Sequence, residues 1–183
     1  AFLENLQKED MTKLITIILG FGEKKEEVER VIENIKLYNI QKVQLCFLKP
    51  QDNTPFANVP SPDMEYMAYW IAKIRIACPK AIIKVALVKD RIEDFSLLLK
   101  AGLNGFSRFL VWNDFNSDFA RQLESECKKA NRTLKGNFTS IPKLNLPEEV
   151  KKLDLPEELK DKILPKAEDY LKKLEKKYQA NLL

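Results

Sequence analysis

The chain contains no histidine, which excludes the commonest general base, the Ser/His and Cys/His nucleophile pairs and every imidazole metal site. Cysteine is sparse. Cys46, Cys78 and Cys127 stand too far apart for a C-x-x-C motif, and their odd number argues against a disulfide framework, so a reducing cytoplasm is the expected compartment. No metal-ligand set can be read from the sequence. Charge of one dominant sign is missing too: 31 Lys and Arg face 27 acids, interspersed, giving a net +4 that calls for neither a nucleic acid nor an anionic membrane. Long hydrophobic runs are absent. The most apolar stretch, Thr12 to Phe21, is interrupted by Lys13 and reaches a glycine at Gly20, which suits a buried strand rather than a membrane span, and no secretory leader is legible. With only five glycines and many Lys/Glu pairs, the composition leans toward a thermophile.

What is present is an alternation of strand and helix from Thr12 to about Asn131, the pattern of parallel βαβ units in an α/β protein. Strands are expected over Lys13 to Leu19, Lys42 to Leu48, Ala81 to Val88 and Gly105 to Val111. The first helix carries Val28, Val31, Ile32, Ile35 and Tyr38 on one stripe. The second opens at Ser61-Pro62-Asp63, read as cap, first-turn proline and acid, and stops at Pro79, with Met64, Met67, Ile71, Ile74 and Cys78 along one face. The third carries Phe95, Leu98 and Leu99 and ends at Ala101-Gly102. Ser117 is expected to cap the fourth, through Cys127. After Ile141 the chain changes character, with ten lysines and nine acids in the last 43 residues, and the boundary is placed at 1-140 and 141-183. Pro147, Pro156 and Pro165 read as successive helix starts, and Ala167, Tyr170, Leu171, Leu174 and Tyr178 form an apolar face expected to pack on the main domain or on a partner.

Four short segments carry chemistry. Thr16-Ile17-Ile18-Leu19-Gly20-Phe21-Gly22-Glu23 is an apolar strand that breaks at two glycines before a helix. Gly20 and Gly22 permit close backbone approach to a ligand, and Glu23 either holds a cofactor or loop group or places negative charge at the helix start. Pro50-Gln51-Asp52-Asn53-Thr54-Pro55-Phe56 is a turn in which Asn53 can hold a positive φ. The helix end Ile71-Ala72-Lys73-Ile74-Arg75-Ile76-Ala77-Cys78-Pro79 and the turn Ala101-Gly102-Leu103-Asn104 complete the set. In order and spacing these resemble the biotin synthase-like subgroup of radical SAM enzymes, whose first motif is G-x-I-x-G-x-x-E; Ile18, Gly20 and Glu23 match it, and Thr16 stands at its first glycine.

The resemblance implies an α/β chain of four βα units forming the C-terminal half of a TIM-like radical SAM barrel, plus a helical C-terminal extension. Beginning at Ala1 in what reads as the tail of a helix, and lacking a clustered cysteine triad, the chain is expected to need the missing N-terminal half or a partner subunit. By resemblance, S-adenosylmethionine and a [4Fe-4S] cluster, whose ligands are not in this chain, would generate a 5′-deoxyadenosyl radical that abstracts hydrogen from a small substrate, with an external electron donor. Thr16, Ile18, Gly20 and Glu23 would face the S-adenosylmethionine, and Gln44, Cys46 and Lys84 the substrate. Cys46 could equally be a small buried hydrophobe, whereas Lys84, amid Ile82, Ile83, Val85 and Leu87, needs an aqueous cavity or a partner charge. Lys84 stands where biotin synthase holds an arginine at its second, [2Fe-2S], cluster, which disfavours biotin synthase itself. Relatives include methylornithine synthase and maturases of hydrogenase cofactors. The competing reading is a non-catalytic α/β binding or scaffold subunit without a cluster.

Overall fold

The computed structural model describes residues 4–5, 11–87 and 89–181. Of the helix tail expected at the start of the chain only residues 4–5, which are helical, fall among these, and the strand end expected at Val88 lies outside them. Four strands, β1 (Leu14–Leu19), β2 (Lys42–Phe47), β3 (Ile82–Ala86) and β4 (Gly105–Ser107), form one parallel sheet in the order β1-β2-β3-β4. Parallel order follows from the connections, each of which carries a helix: α1 (Val28–Leu37), α2 (Met64–Ala77) and α3 (Phe95–Lys100). Beyond β4 come α4 (Val111–Asp114), α5 (Asp118–Lys129), α6 (Leu146–Lys151) and α7 (Glu157–Ala180). Among the described residues no helix is long and apolar enough to cross a membrane.

The sheet is covered by apolar side chains that alternate along each strand. Leu19, Val43, Leu45, Ile83 and Val85 are buried, as are Val28, Ile32 and Ile35 of α1 and Met67, Trp70, Ile71 and Ile74 of α2. The expected stripes are therefore present, with Trp70 an addition that the methionine spacing did not suggest. Met64 and Cys78, placed on that stripe by periodicity, are only half-buried because they stand at the two ends of the helix.

Several boundaries differ from expectation for identifiable reasons. Asp63, rather than Ser61, caps α2: its carboxylate accepts the Tyr66 amide at 2.7 Å, while the Ser61 hydroxyl donates to the Leu48 carbonyl at 2.7 Å. β4 stops at Ser107 because Arg108 takes a φ of 68°, which no strand accommodates, and α4 occupies part of the stretch expected to be strand. Pro165 starts no helix but sits inside α7, where it removes one backbone donor. Pro147 and Pro156 stand at helix starts as expected, and the Ser117 hydroxyl accepts the Ala120 amide at the head of α5.

The chain divides into two compact units, Ala1–Phe109 with Glu126–Thr133, and Leu110–Ser125 with Leu134–Leu183. The first holds the sheet. In the second, Trp112 meets Tyr170 edge-on at 4.5 Å between ring centroids, Asn116 donates to the Tyr178 carbonyl at 3.1 Å, and Asn181 donates to the Phe115 carbonyl at 2.7 Å. Glu124 holds the segment after α5 by accepting the Phe138 amide and the Thr139 hydroxyl. Leu174, central to the predicted apolar face of α7, is buried.

Candidate functional site at the open sheet face and its C-terminal rim

Strand pairing aligns Thr16, Gln44, Lys84 and Gly105 in one row across the sheet, and Ile18 with Cys46 in the next. Because strand side chains alternate, these residues share the face opposite Leu45 and Val85. That face is open. Leu14, Ile18 and Ile82 are 50%, 45% and 38% exposed, whereas Leu45 and Val85 on the helix side are sealed at 0% and 1%. Five of the predicted site residues, Thr16, Ile18, Gln44, Cys46 and Lys84, are thus brought together on one surface. Gln44 donates its side-chain amide to the Cys46 sulfur at 3.8 Å, which fixes the two on the same side. Cys46 itself is 8% exposed and packs as a small hydrophobe within this surface.

Gly20 and Glu23 lie at the C-terminal end of β1. Gly20 takes a φ of 117°, and a Cβ there would come within 2.8 Å of both the Leu48 Cβ and the Pro62 Cδ. Its glycine is required by the chain's own packing. Gly22, with a φ of 99°, has nothing within 4 Å of its missing Cβ, so it is the position of this turn where a ligand can approach the backbone. Both oxygens of Glu23 are engaged by the turn: one accepts the Gly20 amide at 2.7 Å, the other the Phe21 amide at 2.9 Å. Its carboxylate closes the loop, and the Tyr66 hydroxyl holds the Glu23 carbonyl at 3.0 Å. Burial, reinforced by the nearby Glu23 carboxylate, raises the Tyr66 hydroxyl above its ordinary range and keeps it a donor.

The loops after β1, β2 and β3 meet at this rim. Phe21 packs edge-on against Phe56 at 4.7 Å, Arg91 lies over the Phe47 ring at 4.9 Å, and Arg91 also donates to the Pro62 carbonyl. Asn53 has a φ of 62°, the left-handed conformation that asparagine tolerates in place of glycine. Trp112 to Asp114, which follow β4, belong to the second unit.

The other two motifs are joined at the opposite rim. Arg75 donates to the carbonyls of Pro79 (2.7 Å), Ala81 (2.8 Å) and Gly102 (3.0 Å) and to the Asn104 side chain, whose oxygen also accepts the Ile83 amide at 2.8 Å. Burial, then the neighbouring Arg132 charge, lowers its affinity for the proton, though a guanidinium stays charged. This cluster is structural and remote from the open face.

For an S-adenosyl group, the exposed Ile18 and the unobstructed backbone at Gly22 fit an apolar nucleoside contact, while Glu23 is committed to its own turn. For an iron–sulfur cluster, no group of three or more His, Cys, Asp or Glu among the described residues is placed to hold a metal ion. Gly105 and Ser107, neither of them among the expected site residues, join this face through the β3–β4 register.

No known family's profile matches the chain. It is 34% identical over 128 residues to an uncharacterized protein of Methanocaldococcus jannaschii, covering 69% of this chain and 36% of that protein. It is also 27% identical over 116 residues to the biotin synthase of Corynebacterium urealyticum (63% of this chain, 34% of the enzyme). To the biotin synthase of a Parafrankia species it is 32% identical over 96 residues (52% and 26%). The chain therefore spans about a third or less of the length of these relatives. It is an α/β chain with a four-stranded parallel sheet and a distant, partial similarity to biotin synthases.

Proposed function

We propose that this chain forms the C-terminal half of a radical SAM barrel, related to biotin synthase, whose open sheet face is the substrate side of an enzyme acting on a small molecule. The observation that carries the reading is the gathering of Thr16, Ile18, Gln44, Cys46 and Lys84 on one face of the sheet, uncovered along β1, below a glycine-bearing rim at the C-terminal ends of parallel strands. Ligands of parallel α/β folds collect at that end. A parallel sheet is ordinarily covered on both faces, so exposed Leu14, Ile18 and Ile82 call for a further body, either the N-terminal half of the barrel or a partner subunit.

In this reading Ile18 and the backbone near Gly22 would line the adenosyl moiety, and Glu23 holds their loop in shape by accepting two amides. S-adenosylmethionine, when bound, would supply the hydrogen-abstracting chemistry. Gln44, Cys46 and Lys84 would orient the substrate, and the covering body would exclude water. The cluster finds no ligand set among the described residues, so its cysteines would have to come from outside them.

The test is an iron and acid-labile sulfide assay on the anaerobically purified full product of the gene, with calorimetric titration of S-adenosylmethionine. A product with about four irons that binds S-adenosylmethionine, less well after Ile18→Asp, supports the proposal. Iron-free protein with no affinity for S-adenosylmethionine overturns it in favour of a scaffold subunit.

A further inference from the structure

The two rims of the sheet unit differ in charge. The one at the N-terminal ends of the strands is built from residues 11–13, which lead into β1, and from the last turns of α1, α2 and α3 with their links into the next strand, 34–42, 74–82 and 97–105. These stretches carry Lys13, Lys36, Lys42, Arg75, Lys80 and Lys100 and no carboxylate, and Arg132 adds its charge beside Arg75. The opposite rim gathers Asp63, Glu65, Asp90, Glu93 and Asp94 about one cleft. Lys36, Arg75 and Lys100 balance the negative ends of their helices. Lys13, Lys42 and Lys80 exceed that need, and among the described residues no hydrogen bond or ion pair engages the ammonium group of Lys36 or Lys80. Into this basic rim opens a groove of about 370 Å³ between the ends of α1 and α2, lined by buried Ile35, Ile40 and Ala81 and bordered by exposed Lys36 and Lys80. The free thiol of Cys78, half-buried, also lines it. The two most exposed large hydrophobics among the described residues, Ile76 at 77% and Leu37 at 63%, stand in the same last turns.

A single exposed apolar residue needs no partner, but an apolar recess within a rim of one charge sign is the pattern of a docking surface. A lipid surface presents nothing that reaches into such a recess, and a nucleic-acid backbone would leave its apolar lining uncovered. We infer that this rim docks an acidic partner protein, which sets a bulky apolar side chain in the groove and its flanking carboxylates against Lys36 and Lys80. The charges steer the encounter, and the enclosed side chain holds it. The groove lies at the end of the strands opposite Gly20 and Gly22, so a docked partner leaves the glycine-bearing rim free. The inference goes beyond the proposed activity and stands whether or not the chain binds S-adenosylmethionine.

The experiment is selection of short random peptides displayed on phage against the full gene product, followed by fluorescence anisotropy of the enriched sequences. These should combine Asp or Glu with a Leu, Ile, Phe or Trp, and should bind the Lys36→Glu, Lys80→Glu double variant about tenfold or more weakly than wild type. Their affinity should fall as salt rises. Bound peptide should also slow alkylation of Cys78 by iodoacetamide, read by mass spectrometry. Because both lysines are exposed, the double variant should keep the wild-type Tm; if it does not, Lys36→Gln with Lys80→Gln replaces it, and protection of Cys78 in the wild type reports independently. Failure to enrich any sequence, enrichment of neutral or basic ones, an affinity indifferent to both lysines, or an unprotected Cys78 would overturn the inference. So would a lysine-dependent affinity for phosphatidylglycerol vesicles or for duplex DNA greater than that for the peptides, which would assign the rim to a membrane or to a nucleic acid.

Discussion

At Glu126 a carboxylate is fully enclosed, its oxygens accepting the Ser96 amide at 3.0 Å near the start of α3 and the Lys129 ammonium at 2.6 Å. Burial alone would raise its proton affinity, but the Lys129 and Ser96 bonds outweigh that and leave the group below its usual value of 4.5. A lowered folded-state value means that the contribution to stability is complete above the unfolded value and is lost as pH falls through the folded one. In urea titrations the stability gap between wild type and Glu126→Gln should therefore be widest near neutrality and close below about pH 4.5; a gap independent of pH between 7 and 3 would refute this. Nothing in the sequence marked Glu126, because its spacing is that of any solvated helix acid. Asn53 was legible, since a turn written with glycine elsewhere demands a left-handed residue, and it has a φ of 62°. Glu23 was legible as important and not as to role. Which amides surround a carboxylate depends on how the turn closes, and that is a matter of coordinates.

At the scale of elements, period-two alternation and helical stripes were readable because each buries one face, and burial is what the sequence encodes most strongly. The ends were less so. Asp63 and Ser61 are both good caps, and only the demand of the Leu48 carbonyl for the Ser61 hydroxyl decides between them. Three helices, α1, α3 and α5, stop in one way that spacing did not reveal: Asn39, Gly102 and Asn131 turn left-handed, and the next amide reaches back to Ile35, Leu98 and Cys127. Only the glycine announced itself. The two faces of the sheet differ enough to be measured by substitution. Ile18→Glu on the open face should change stability by about 0.5 kcal/mol or less, while Leu45→Glu on the helix side should cost about 4 kcal/mol or leave the chain unfolded. Similar losses in chemical denaturation for both variants would contradict the assignment of faces.

For the whole molecule, the candidate surface was legible only as far as single strands. Thr16, Gln44 and Lys84 could each be placed on a strand, but their common row depends on inter-strand register, which also brought in Gly105 and Ser107 unannounced. The described sheet has its interior at β2 and β3, each paired on both sides, and its edges at β1 and the three-residue β4. Amide exchange should accordingly be slowest at Val43, Leu45, Ile83 and Val85 and faster along β4. Protection in β4 equal to that of β2 would show that the edge is paired by something further. Arg75 and Gly102 carry a different consequence. A Cβ at residue 102 would fall 2.7 Å from the Arg75 Cγ, and the guanidinium in turn closes on the Gly102 carbonyl. The glycine leaves the space that the arginine stem fills, so the helix end and the turn that follows α3 form one mechanical unit. A larger side chain at residue 102 would therefore be felt first at the far end of α2, where it unseats the clasp on the Pro79 and Ala81 carbonyls.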